Sequence, residues 1–411
     1  MRWTAIVALG LCLAVNLTAV ADSWPRFRGP NGTGISELKG IPSTWTEQDY
    51  EWVIDLPGKG HSSPVVWDKF LFVTTGTDEG ARTLLCLDAD SGKELWKVTQ
   101  EFAANHLHKK NSYASGTPVV DGEHVVVAFA DEQHYIVSCY SMLGELKWSK
   151  DLGTFNSQHG QGVSPIIYEG MVIVPNDQWG PSRVDAYDVK TGQLKWSSER
   201  KFVKTSYATP IVLSVEGKDQ IVCLSGGVGL AGIDAKTGKE LWSSGELPQR
   251  TVASPLVTSN GLVLGTCGQG GRGTLMVAVD PSGSGDVSTT HVKATREQNL
   301  PYVPTPIVFG DHLYLWNDDG IVCCVNTSGD MTENVWRARV GGNFSGSPIV
   351  IDGRIFCISE DGEVVVLATG DKYELLGRSP LGDNSYATPA VGNGRVYFRT
   401  FHKLACLKAK S

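Results

Sequence analysis

The chain has 411 residues, 41% of them hydrophobic and 19% charged, with 47 Gly and 12 Trp. Many glycines between short apolar runs suit an all-β protein. The net charge of −8 excludes a broad phosphate-binding face, and with it a nucleic-acid partner.

Residues 1–21 read as a secretory leader. Arg2 gives the positive start, Ala5 to Val15 the apolar run, and Ala19-Val20-Ala21 a small-x-small cleavage site. Leu11 is too bulky for the residue before a lipidated Cys12. No later run approaches ~18 apolar residues, so the chain is expected to be exported, periplasmic or secreted, and not an integral membrane protein. Residues 22–47, rich in Gly and Pro around Trp24-Pro25-Arg26-Phe27-Arg28-Gly29-Pro30-Asn31-Gly32, carry no strand or helix period and are expected to form an ordered coil laid across the domain. Tyr50 to Leu56 then reads as a Trp-bearing outer strand with no blade before it.

From residue 48 to 411 one sentence repeats. A (Ser/Thr)-Pro pair, with its Pro at 64, 118, 165, 210, 255, 306, 348 and 389, opens each unit. An apolar strand, a turn, a second apolar strand and a hairpin ending on Trp follow. The hairpin is clearest at Ala186 to Trp196, where Asp188 and Thr191-Gly192 supply the reversal. Trp52, Trp96, Trp148, Trp196, Trp242 and Trp336 take the Trp position. Unit 5 has no Trp there, and in unit 7 the Leu of Tyr373-Glu374-Leu375-Leu376 is read in its place. The eighth unit stops after its third strand, which the orphan strand around Trp52 would complete. The expected fold is an eight-bladed β-propeller of four-stranded blades, closed by the N-terminal strand. The tryptophans are expected to pack between blades.

The A-x-D-x-x-T-G-x-x-x-W wording resembles the PQQ-like (quinoprotein) β-propeller repeat family. That family includes quinone-dependent alcohol and sugar dehydrogenases and the cofactor-free outer-membrane-protein assembly factor BamB. Trp24 to Asn31, with Gly60-His61-Ser62-Ser63-Pro64, also resembles exported propellers of planctomycete-type bacteria. The resemblance implies the fold strongly and an activity weakly. Its first implication is a non-catalytic envelope binding protein, BamB-like and monomeric, with a protein segment or an envelope glycan as partner and no cofactor. Its alternative implication is a dehydrogenase using PQQ and calcium. Asn176 and Asp177, in Pro175-Asn176-Asp177-Gln178-Trp179, are similar to one calcium-ligand segment of those enzymes, with no Glu or catalytic Asp to match beside them.

Cys86, Cys139, Cys324 and Cys406 share one register with Ala186, Gly232, Ala278 and Val366, so the eight mature cysteines are read as small buried thiols. Cys323 and Cys324 point to opposite faces of one strand, which opposes a vicinal disulfide. His106 and His108, two apart in a long loop, lack a third metal ligand and read as solvated. The best binding signal lies just before the prolines: His61, Tyr113, His159, Tyr207, Arg250, Tyr302, Phe344 and Tyr386. In a propeller these positions crowd one mouth of the central channel, where rings stack and polar edges hydrogen-bond. No catalytic residue is assigned.

Overall fold

Each (Ser/Thr)-Pro pair immediately precedes an innermost strand: Val65–Trp67, Val119–Val120, Ile166–Tyr168, Ile211–Val215, Leu256–Val257, Ile307–Phe309, Ile349–Ile351 and Ala390–Gly392. Proline suits that place because it lacks an N–H to donate to a ladder. The chain, here a computed structural model, is described for residues 23–410, so the expected leader lies outside the described residues. Eight antiparallel blades succeed one another around a channel, the first seven with their four blade strands in sequence order. The eighth is made of Ala390–Gly392, Arg395–Arg399, Lys403–Lys408 and the closing strand Tyr50–Asp55, with Trp52 opposite Cys406. The fold is the eight-bladed propeller that the repeat implies.

In six of the eight pairs the Ser or Thr hydroxyl has a task that the repeat alone does not reveal. Ser63 N–H donates to Thr117 Oγ1 at 3.0 Å and Thr117 N–H to Ser164 Oγ at 2.9 Å. The same bond runs from Thr209 to Ser254, Thr305, Ser347 and Thr388, each link 2.9–3.0 Å. These hydroxyls form a belt around the hub, satisfying buried N–H groups that the following proline cannot help to pair.

At the rim, the third and fourth strands of a blade put the Trp opposite a small residue: Cys86 faces Trp96, Ala186 faces Trp196 and Gly232 faces Trp242. The indole then reaches the next blade. Trp96, Trp148, Trp196 and Trp336 donate their ring N–H to carbonyls of Met142, Val189, Ala235 and Gly370. The turn glycine of that next blade lies under the ring. A Cβ on Gly192 (φ +68°) would sit 2.7 Å from Trp148 Cδ2, so the glycine is required twice, by backbone sign and by space. The T-G and W of the repeat are thus two halves of one joint between neighbours.

Two units lack the Trp, and one of them needs correction. In blade 7 the Trp position is held by Gly377, opposite Val366, and not by a leucine. A Cβ there would lie 2.2 Å from Ser43 O, because the lead-in passes at that point and supplies its own indole. Trp45, 5% exposed, stacks on Phe398 with ring centroids 5.2 Å apart, and its backbone N–H donates to Ser379 Oγ at 2.8 Å. In blade 5 Ala294 faces Ala278. The stretch before it, Gly285–Asp286, leaves its own blade and pairs in parallel with the outer strand Glu240–Ser243 of blade 4, covering an edge that would otherwise be open.

The lead-in contains short regular pieces: a 3-10 turn at Pro30–Gly32, a strand at Ile35–Ser36 and a second 3-10 turn at Glu47–Asp49. It crosses the far end of the channel. Trp24 pairs with Val66, Pro25 O accepts from Val120 N–H, Asn31 exchanges two bonds with Val212, and Ile35–Ser36 pairs in parallel with Ile349–Ile351. Arg26 and Arg28 are buried against the carbonyls of Pro210 and Pro348. All eight described cysteines are buried free thiols. Cys323 and Cys324 lie in different core clusters, on opposite faces of their strand.

Candidate functional site

The hub encloses a cavity of about 610 Å³. Its wall is the hydroxyl belt from Thr117 to Thr388, and Phe27 of the lead-in reaches it from the far end. The volume is that of a small-ligand pocket. Six of the eight proline-flanking residues line it: His61, His159, Tyr207, Arg250, Tyr302 and Tyr386. Tyr113 and Phe344 do not. Tyr113 OH bonds both backbone groups of Asn105 and its ring lies over Arg82 at 4.3 Å, anchoring a loop. Phe344 is fully buried edge-on to Trp316.

The loop carrying His106 and His108 keeps His106 exposed, as read, but half-buries His108. It runs over the mouth, His108 against the ring of His159 with centroids 4.5 Å apart and Lys110 ion-paired at 2.5 Å with Glu360 of blade 7. Lys110, Asn111 and His108 therefore belong to the cavity wall.

Arg250 is the centre of the mouth. Its Nη1 donates to His159 Nε2 at 2.6 Å and its Nη2 to Gln158 Oε1 at 2.7 Å. A guanidinium only donates, so His159 must accept on Nε2 and carry its proton on Nδ1. Burial, and then the neighbouring guanidinium, push the His159 pKa down to about 4. His61, 8% exposed between Tyr386 and Phe401, is held well below its usual value by burial, Arg399 and Lys59. Both imidazoles are neutral at pH 7. Tyr207 OH and Ser157 Oγ hydrogen-bond at 3.0 Å.

One carboxylate, Asp318, lines the cavity. It accepts from Tyr302 N–H at 2.7 Å and, more weakly, from Val303 N–H. Burial raises its pKa to about 6 against those bonds and the field of Lys110. A carboxyl raised on folding contributes stability that is whole below pH ~4 and lost as pH climbs through ~6. Asp318→Asn, which keeps an acceptor for Tyr302 N–H, should remove this dependence. Between pH 4 and 7.5 the wild type should lose about 2–3 kcal/mol more than the variant in urea unfolding; parallel curves would refute the assignment.

Sequence reading missed Asp318 because Asn317-Asp318-Asp319-Gly320 is worded like any turn. It missed Lys110 and Phe27 because their approach to the hub depends on where long connections travel. Asn176 and Asp177 lie outside the cavity wall. Asn176 Oδ1 accepts from Gln178 Nε2 at 2.9 Å, and Asp177 is buried against Arg200 at 3.2 Å. Among the described residues no three His, Cys, Asp or Glu groups converge as metal ligands. Asn176 and Asp177 thus present no calcium ligands to the cavity.

Three regions of the chain, residues 43–199, 80–330 and 277–411, match the family model described as "Outer membrane protein assembly factor BamB". The chain belongs to this family. A curated BamB of Yersinia pestis is 20% identical over 318 residues, covering 75% of this chain and 64% of that protein. The match thus spans less than two thirds of the curated relative's length. Among solved structures, BamB from Moraxella catarrhalis superposes with a TM-score of 0.60 at 16% identity, over 87% of this chain and 97% of that one. The quinohemoprotein alcohol dehydrogenase from Comamonas testosteroni gives 0.68 at 13% identity, over 96% and 82%. These two likenesses show a shared fold. Among the described residues of this BamB-family propeller, no helix is long and apolar enough to cross a membrane.

Proposed function

We propose that the chain is an exported propeller of the cell envelope, BamB-like, that holds a partner at the mouth of its channel and does no chemistry on it. The observation that carries this is the committed state of the mouth. The His159 acceptor is taken by Arg250, and Tyr207 and Ser157 bond each other. Such groups grip well and exchange protons poorly. The name of the relatives, outer membrane protein assembly factor, supports a binding role in the envelope.

The test has two arms on the mature chain. Immobilised wild type should retain an envelope component that Tyr207→Ala/Tyr386→Ala, with unchanged melting, retains at least tenfold less. Titration with PQQ and calcium, followed by Trp fluorescence and dye reduction with alcohols and sugars, should show no saturation. Saturable quenching with dye reduction would replace the binding reading by a dehydrogenase.

A further inference from the structure

A second cavity, of about 410 Å³, adjoins the channel mouth above blades 2 and 3. Asn105, His106, Asn156, Gln158 and Trp179 line it. Trp179 is 52% exposed and is the one tryptophan among the described residues left that bare. The ridge Ser157 to Gly160 separates the two cavities, and it is fixed on both sides. Ser157 and Gln158 bond Tyr207 and Arg250 on the channel side. On the other, Asn156 N–H donates to Gln178 Oε1 at 2.6 Å and Trp179 N–H to Asn156 O at 2.9 Å. The recess is thus built before any ligand arrives.

Its chemistry is specific. A bare indole presents a flat face that stacks on the C–H face of a pyranose, and the amides beside it pair with ring hydroxyls in both senses. Across the ridge, Arg250 has only neutral partners among the described residues, namely His159, Gln158 and Tyr302, and its Nε is buried without one. A planar guanidinium with open donors matches a carboxylate or sulfate. At the channel mouth Lys110 is taken by Glu360, while Lys109 and Arg250 have no ion pair among the described residues. Asp318 is the one carboxylate lining that cavity, and Asp131 and Glu132 lie in the recess, so the anionic group is placed at Arg250. A peptide would need a free strand edge or apolar pockets at alternate positions, and the recess offers amides, an imidazole and carboxylates instead.

We propose that the two cavities form one groove for an acidic saccharide chain, with one sugar stacked on Trp179 and the anionic group of a nearby sugar held by Arg250. This rests on the binding reading above and names the ligand's chemistry. Calorimetry on the mature chain would use hexasaccharides of hyaluronan, polygalacturonate and chondroitin sulfate, with chitohexaose as the neutral control and hexaglutamate as the acidic peptide. At least one acidic hexasaccharide should bind, tenfold or more tighter than chitohexaose or hexaglutamate. Trp179→Ala and Arg250→Gln should each weaken it tenfold or more with melting unchanged. Binding of none of the three, or binding indifferent to both substitutions, overturns the proposal. If that happens while Tyr207-dependent capture of an envelope protein persists, the saccharide falls and the binding reading stands. If both are lost, both fall.

Discussion

Trp196→Ala should lower stability by about 3–5 kcal/mol, read as a shift of the urea midpoint at constant slope. The side chain is 7% exposed, and its ring N–H donates to Ala235 O at 3.0 Å in the next blade. Its face lies on Gly238, where an added Cβ would approach Cε3 to 2.6 Å at φ +73°. Alanine at 196 therefore leaves a cavity, an unpaired buried carbonyl and a glycine with nothing above it. Leu194→Ala, two residues away and 55% exposed, should cost less than ~0.5 kcal/mol. Gly238→Ala alone should destabilise by overpacking and by backbone sign, and part of that should vanish in the double variant, where the indole no longer occupies the space. A cost below ~1 kcal/mol for Trp196→Ala would mean that the joint between blades is not what holds them.

A chain begun at Pro57 should fail to give a folded monomer, whereas one begun at Pro42 should still fold. The first loses Tyr50–Asp55, whose ladder with Lys403–Lys408 closes the eighth blade. It also loses Glu51, which pairs with Arg395 and Lys408, and Trp52, whose ring covers Gly92 of blade 1. What remains is a long unpaired edge, open to other copies of itself. The second chain keeps that strand and Trp45 and lacks only the segment across the far end of the channel. Size-exclusion chromatography and far-UV circular dichroism separate the outcomes. A peptide of residues 46–56 added to the shorter chain should restore the monomer. Monomeric, cooperative unfolding of the Pro57 chain without peptide would count against closure by this strand.

The blades were legible because each is written in local terms: Pro where a strand begins, Gly where the turn needs a positive φ, Trp opposite a small residue. Closure was legible because one Trp strand stood at the wrong end. The site was legible only in part, since its residues are placed by contacts far apart in sequence. Asn111-Ser112-Tyr113-Ala114 and Thr205-Ser206-Tyr207-Ala208 share their wording. Yet Tyr207 faces the cavity and Tyr113 is claimed by Asn105 in the loop that precedes it. Gly377 reads as an irregularity until Ser43 is found lying against it. Glu360, in an ordinary Glu-Asp-Gly turn, meets Lys110 across 250 residues.

The hydroxyl belt bears on how the hub is divided. Among the described residues no link joins Ser164 to Thr209 or Thr388 to Ser63, whose hydroxyl is left unpartnered. A hoop missing two links is a pair of arcs, blades 1 to 3 and blades 4 to 8. The joint between blades 8 and 1 is stitched by Arg399, which donates to Ser62 O at 3.0 Å. The joint between blades 3 and 4 is held instead by the indole of Trp196 at the rim, by Tyr168 against Asp219, and at the mouth by Tyr207 and Ser157. The lead-in acts as a tie-rod between the arcs, bonded to Val66 and Val120 on one and to Val212 and Val350 on the other. At the mouth the arcs are joined by other means, Arg250 to His159 and Gln158 and Lys110 to Glu360. Tyr207 stands two residues before Thr209, at the seam between the arcs, so a partner met there touches both halves of the hub.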